Sequence, residues 1–354
     1  MKTKQVGKII LRVLSFVLTF VAALALTLVI SLKMFCSDTF PHVQQTFVTT
    51  VLETGQLKFL ASVFLSSEEI QKIVDENSMK EFNEEVDTNL IQLGGSGNAG
   101  LGGTEDNGKD IEIIEVAGST YTGVMMIVKD PSRVSLASIY TWRDTGVTLD
   151  ELVNSNNAIG GINGGLYNSS NNTGGHPYGV LVSNGEIQYN KPQQFPGLVL
   201  IGFTEDHILQ IIDISQMTPN DIVNLVKERK IRDAVTFQEE ASDANNHFVQ
   251  LIINGEEREL NGMGSGLNPR TAIGQRADGS VLMFVTDGRG KAGHLGASCA
   301  DLIEVMKEYG AVNAANLDGG SSTCMYYEGE YLMDSVTFYY SNSSWKLPAG
   351  FIVK

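Results

Sequence analysis

The chain has 354 residues, 42% of them hydrophobic, with 25 Lys and Arg against 41 Asp and Glu and a net charge of −16. This is ample material for a core, and the acidic balance excludes a nucleic-acid surface and gains nothing from an anionic membrane. Three cysteines are too few for a disulfide scaffold.

At the N-terminus, residues 13–32 hold about 20 residues whose only polar interruptions are Ser and Thr, long enough to span a bilayer. Lys2, Lys4, Lys8 and Arg12 precede this run and Lys33 follows it. That asymmetry predicts a signal anchor: a cytoplasmic N-terminus, a single pass of the cell membrane, and the bulk of the chain outside. The sequence after it, SLKMFCSDT, offers no clean site for cleavage as a signal peptide. Residues 1–35 contain five basic and no acidic side chains, which leaves 20 Lys and Arg against 41 acids on the rest. An anionic substrate must therefore be captured by a local cluster, against the global field.

Residues 36–93 read as a helical stalk, with Ser66 or Ser67 capping the run LSSEEIQKIVDEN. Residues 94–108, GGSGNAGLGGTEDNG, read as a flexible linker and domain boundary. From 109 to 354 short β runs dominate, at 111–116, 121–129, 134–140, 180–182, 197–201, 208–212, 281–285 and 311–317. Asn184-Gly185 and Asn254-Gly255, each between apolar runs, signal hairpins. Capped helices are predicted from Thr148, from Thr218-Pro219 and over 297–309, the last stopping at Gly310. The fold class read from this pattern is α+β, a large mixed or mainly antiparallel sheet system with few helices. Cys36 falls at the membrane edge. Cys299 and Cys324 can be bridged in an oxidising exterior or remain separate thiols, and neither has a His or Cys at metal-ligand spacing.

Four stretches share one grammar, an apolar strand that ends in polar residues and glycine: GGINGGLY around Asn163, NPRTAIG around Arg270, FVTDGR around Asp287, and NLDGGSS around Asp318. Polar side chains at strand ends, with glycines to admit a ligand, are how rigid scaffolds present a site. The turn Gly319-Gly320-Ser321-Ser322 can supply backbone N–H groups and hydroxyls to an anion, which leaves the Asp318 carboxylate as base, nucleophile or metal ligand.

INGGLY, NPRTAIG, TDGR and NLDGGSST, in this order, resemble the phosphodiester glycosidase family, over about residues 110–354. Its members include an enzyme that removes N-acetylglucosamine from a mannose-phosphate diester. The chain departs from the family pattern in having two glycines, where three are common, after Asp318, in Asn268 where His often precedes Pro-Arg-Thr, and in the polar insertion QEEASDANNH at 238–247. The resemblance implies hydrolysis of a sugar-1-phosphodiester, N-acetylhexosamine being the expected sugar, on a surface glycan or polymer.

The chemistry of that bond asks for few groups. A departing phosphate is already a stable anion, so it needs electrostatic holding more than a proton. One carboxylate, one arginine and a donor cradle suffice. Arg270 is the first choice for the arginine, with Pro269 fixing its approach and Thr271 adding a hydroxyl, and Arg289 is the second. Asp318 and Asp287 compete for the catalytic carboxylate. Asn163 would bond a sugar hydroxyl or acetamido group, Gly164 and Gly165 would leave room for the ring, and His176 in the GGHPYG loop, like His294, would lie near substrate. No organic cofactor is implied. Two readings stay open beside the glycosidase: a glycan-binding module without turnover, and a phosphodiesterase that cuts P–O with a divalent cation held by Asp287 and Asp318.

Overall fold

The structure is a computed structural model that describes residues 2–54, 57–82, 84–93, 109–336 and 342–354. The Gly-rich stretch 94–108, read as a linker, lies outside the described residues. Helix α1 (Lys2–Phe35) is exposed along its apolar length. Its span Gln5–Phe35 is long and apolar enough to cross a membrane. The hydroxyls of Thr19 and Thr27 donate to the carbonyls of Ser15 and Ala23 one turn back, both at 2.9 Å, so the helix carries them with their donors satisfied.

Helices α2 (Pro41–Leu52) and α3 (Ser67–Glu76) close on a small core of their own, built from Val48, Leu52, Ala61, Ile70 and Val74. Ser66 and Glu69 form the capping box that starts α3. The segment read as a stalk lies against the rest of the chain. Lys80 pairs with Glu259, the Lys80 carbonyl accepts from Arg258, and Asn254 donates to the Glu85 carbonyl.

The remainder is built on antiparallel sheets, which makes the fold class α+β with few helices. A seven-stranded sheet runs in the order Ile111–Ala117, Thr122–Val128, Val281–Thr286, Thr271–Arg276, Ala311–Asn316, Gln250–Ile253, Glu256–Glu257. One five-stranded sheet runs Glu330–Met333, Met325–Tyr327, Gly160–Asn163, Ala349–Val353, Val134–Ser138. The other runs Glu186–Asn190, Val180–Ser183, Ile231–Gln238, Leu198–Thr204, Leu209–Asp213. Both Asn-Gly pairs turn hairpins, with φ of 52° and 76° at Asn184 and Gly185 and 56° and 82° at Asn254 and Gly255. Positive φ at both central residues is the turn whose twist matches its strands. The insertion at 238–247 forms a hairpin of Glu240–Ala241 with Asn246–His247.

Strand alternation divides the core. One set of side chains from the seven-stranded sheet, including Ile273, Met283, Val285 and Leu317, meets Ile162, Phe351 and Val235 of the other sheets. The alternate set, including Ala272, Leu282 and Phe284, packs under α6 (Cys299–Glu308). Helix α4 (Leu149–Ser155) covers the first five-stranded sheet and α5 (Pro219–Glu228) the second. Cys299 and Cys324 are separate buried thiols on different cores. The register, Thr286 opposite Gly123, Thr271 opposite Val285 and Ala272 opposite Asn316, brings Thr122, Asp287, Arg270 and Asp318 together at one end of four adjacent strands of the large sheet.

Candidate active site

The Asp318 turn is pinned from both sides. The Leu317 N–H donates to the Thr271 carbonyl and the Gly320 N–H to the Pro269 carbonyl, each at 2.8 Å. From the facing sheet, the Asn163 carboxamide donates to the Asp318 carbonyl at 2.7 Å and accepts from the Thr271 hydroxyl at 2.8 Å and the Cys324 N–H at 3.2 Å. Asn163 was expected to face a sugar; it is 1% exposed and its polar atoms are committed to protein groups. It therefore holds the turn that carries Asp318. Asn163→Ala orphans the Asp318 carbonyl and the Cys324 N–H. At about 1–3 kcal/mol for each buried group left unpaired, we expect a loss of roughly 3 kcal/mol in denaturant-induced unfolding, with unchanged stability excluding this role.

On the other flank of the turn, the buried Tyr167 hydroxyl accepts from Ser322 at 3.0 Å. Tyr167 lies in the INGGLY motif, although sequence reasoning gave it no role. Gly320 adopts φ +62°, and a Cβ there would come within 2.6 Å of the Arg289 guanidinium. Glycine at this position thus permits the backbone turn and admits the cation.

Arg289 is the arginine that acts on Asp318. Its Nη1 donates to the Ser321 hydroxyl at 2.9 Å and its Nε to Asn268 Oδ1 at 3.2 Å. Its own φ of 53°, in the left-handed region that side chains disfavour, is the kind of local strain found where a loop aims a functional group. Burial pushes the Asp318 pKa up to about 7 from its usual 3.8, against the downward pull of the Ser322 hydroxyl, the Arg289 charge and the Gly319 N–H. A carboxyl that changes charge near neutrality beside a guanidinium is suited to stabilising a cationic sugar or handling a proton.

Arg270 stands differently. It alternates with Thr271, so that Thr271 faces Asn163 between the sheets while Arg270 points with Ala272 toward α6. Only 4% of the Arg270 side chain is exposed. Its donors go to the Ala297 and Gly266 carbonyls, the Ser265 hydroxyl and, at 2.5 Å, the carboxylate of Glu53. Glu53 follows α2 in the segment read as a stalk; one acid among many in a helical stretch carried no sequence signal. Burial raises its pKa, and the Arg270 charge opposes that.

Asp287 is anchored by the Thr122 N–H at 2.8 Å and pairs with His294 at 2.6 Å, which engages both of its oxygens within the protein. The glycines thought to leave room for a sugar ring serve the packing of strands: a Cβ on Gly165 would meet the Thr236 carbonyl at 2.3 Å, and one on Gly164 the Ala349 carbonyl at 3.1 Å. His176 sits in the loop after Tyr167, where its carbonyl accepts from Asn168, and its side chain takes no part in the bonds that hold the Asp318 turn. The structure thus brings Asp318, Gly319, Gly320, Ser321, Ser322, Arg289, Thr271 and Asn163 together, with Arg270 one layer behind them.

A solved relative of this architecture is the catalytic domain of zebrafish N-acetylglucosamine-1-phosphodiester alpha-N-acetylglucosaminidase, described as auto-inhibited by its pro-peptide. It superposes with a TM-score of 0.53 at 17% identity, covering 70% of this chain and 85% of that one, and so shares the fold. A short stretch of 65 residues is 38% identical to an uncharacterized SPbeta prophage-derived protein of Bacillus subtilis (strain 168), YomE; the match spans 18% of this chain and only 10% of that protein. The phosphodiester glycosidase family model matches residues 156–354, more than half of the chain and the part that contains Asn163, Arg270, Asp287, Arg289 and Asp318. On that match the chain belongs to the phosphodiester glycosidase family.

Proposed function

We propose that the chain is an exported, membrane-anchored glycosidase that releases a sugar, with N-acetylhexosamine as the first candidate, from a 1-phosphodiester on a surface glycan or polymer. The observation that carries this reading is the Asp318 carboxyl, with its pKa near 7, set beside the Arg289 guanidinium and a turn of hydroxyls and N–H groups. The activity for which the zebrafish relative is named is the reason for placing N-acetylglucosamine first among the sugars to try.

In this reading Arg289 and the Ser321 hydroxyl take the phosphate oxygens and hold the charge that builds as the C1–O bond breaks. The phosphate monoester departs with the electron pair of that bond. Asp318, ionised, faces the cationic sugar at C1 from the other side. Water then adds to C1 and passes a proton to the Asp318 carboxylate, which returns it to solvent, yielding the free sugar. Arg270, Asn163 and Thr271 keep the turn in place.

Product identity tests the proposal. The chain is incubated with synthetic N-acetylhexosamine-1-phosphodiesters and with wall or capsule polymers, and the released small molecules are read by mass spectrometry. Free sugar is the expected product. Sugar phosphate would reassign the chain to P–O cleavage, and retention of polymer without release would make it a glycan-binding module.

A further inference from the structure

We propose that the membrane-proximal helix α2 is a working part of this site: through Thr50 and Glu53 it holds the loop 265–270, and through that loop it holds Arg289 and the Asp318 turn in their working arrangement. The proposal rests on the glycosidase reading only for the reaction it affects, because the mechanical link is a property of the fold.

The link can be followed contact by contact. The Glu53 carboxylate accepts from the Gly266 N–H at 2.7 Å and from Arg270 at 2.5 Å, while the Thr50 hydroxyl accepts from the Leu267 N–H at 3.0 Å. Helix and loop touch so closely that a Cβ on Gly266 would fall 2.3 Å from the Thr50 nitrogen. The same loop passes its position on to the site. Asn268 accepts from the Arg289 guanidinium at 3.2 Å, and the Pro269 carbonyl accepts the Gly320 N–H at 2.8 Å. The anchor is therefore one loop away from both Arg289 and the Asp318 turn.

Two observations argue that Glu53 is a support and not a plug in the substrate's place. Arg270 and Glu53 meet on the α6 face of the strand, whereas Asn163, which holds the Asp318 turn, contacts Thr271 on the opposite face. The pair is also closed in itself, with 4% and 3% of the two side chains exposed. Burying two charges is tolerated when each satisfies the other, and removing one leaves the second strongly disfavoured. The charge of Glu53 also acts on Arg289, so the support carries an electrostatic as well as a mechanical part.

The helix supplies this support from outside the domain's main core, since α2 and α3 pack on a cluster of their own. The polypeptide that leaves the membrane span and the polypeptide that fixes the site are thus the same 20 or so residues.

The test uses the full chain with Glu53→Gln, and with Thr50→Val as a second variant that keeps the buried charge pair. Amide hydrogen exchange is read at Gly320 and over 265–270 together with kcat and KM on the phosphodiester that the parent cleaves. Displacing a reacting group by about 1 Å costs on the order of 10²-fold in rate, so we expect kcat for Glu53→Gln to fall between ten- and a hundredfold, with KM changed less than threefold. Faster exchange at the Gly320 N–H is expected in both variants, with Glu53→Asp recovering part of the protection and the rate. Unchanged exchange at Gly320 would overturn the proposal whatever the chain's activity. So would a gain in rate, which would make Glu53 an internal inhibitor. If the parent itself releases no sugar, the glycosidase reading falls, and the exchange data still decide the link from α2 to the turn.

Discussion

Asp318→Asn is expected to lower kcat for sugar release by about 10³-fold, equivalent to roughly 4 kcal/mol of transition-state stabilisation, while leaving the fold intact. Asparagine keeps the shape and one acceptor but cannot carry the negative charge that faces a cationic C1. The stability of the variant supplies an independent check. The folded pKa of Asp318 is raised to about 7 from 3.8, so its contribution to stability is fully present below pH 4 and is lost as pH rises from about 4 through about 7. At about 1.4 kcal/mol per unit, the parent gives up on the order of 4 kcal/mol over that window. The asparagine variant lacks this loss. It should therefore melt at a higher temperature than the parent at pH 8, with the gap shrinking as pH falls to 4. The pH profile of kcat/KM assigns the role: a rise with a midpoint near 7 is expected if the ionised carboxylate does the work, and a fall through the same midpoint would make Asp318 a proton donor. Retention of more than a tenth of the parent kcat would remove Asp318 from the reaction.

The parts of this molecule that sequence reading reached are those written in local rules. Ser66 with Glu69, Thr148 with Glu151 and Thr218 with Asp221 start their helices where capping chemistry says they should. The two Asn-Gly turns make hairpins because this dipeptide readily takes positive φ at both positions. The strand 311–316 runs into Asp318 as its apolar pattern implies. What could not be read is whatever depends on contacts distant in the chain. Thr122–Val128 pairs with Val281–Thr286 across some 150 residues, and neither segment names the other. The face of a strand residue is equally hidden until its neighbours are placed. Arg270 and Thr271 are adjacent in sequence, yet one serves the α6 layer and the other the Asn163 layer. The motif NPRTAIG gave the residues, and the pleat decided which of them meets Asp318. Glu53 lay furthest from view, because it joins the site from a segment whose composition suggests only a helical connection to the membrane.

The contrast between the two arginines is the second large effect. Arg289→Ala is expected to cut kcat/KM by about 10³-fold, the loss that follows when a cation facing a transferring or departing phosphate is removed. Arg289→Lys should recover no more than about a tenth of the activity, because an ammonium restores the charge but not the planar pair of donors. The guanidinium is held at one edge, by Nε to Asn268 and one Nη1 hydrogen to Ser321, and Nη2 lies beside Gly320 in a space that glycine alone leaves clear. Since the Arg289 charge lowers the Asp318 pKa, its removal should also move the midpoint of the pH–rate profile upward, a shift that mere loss of substrate affinity would not produce. Arg289 is an exposed residue, so the alanine variant should unfold within about 1 kcal/mol of the parent. Arg270→Ala should behave in the opposite way. It strands Glu53 without its partner in a dry environment, and a loss of about 3–5 kcal/mol in stability is expected before any effect on turnover is read. Equal destabilisation by the two substitutions, or an Arg289→Ala enzyme with an unshifted pH midpoint, would mean that the guanidinium beside Asp318 is not the one that meets the phosphate.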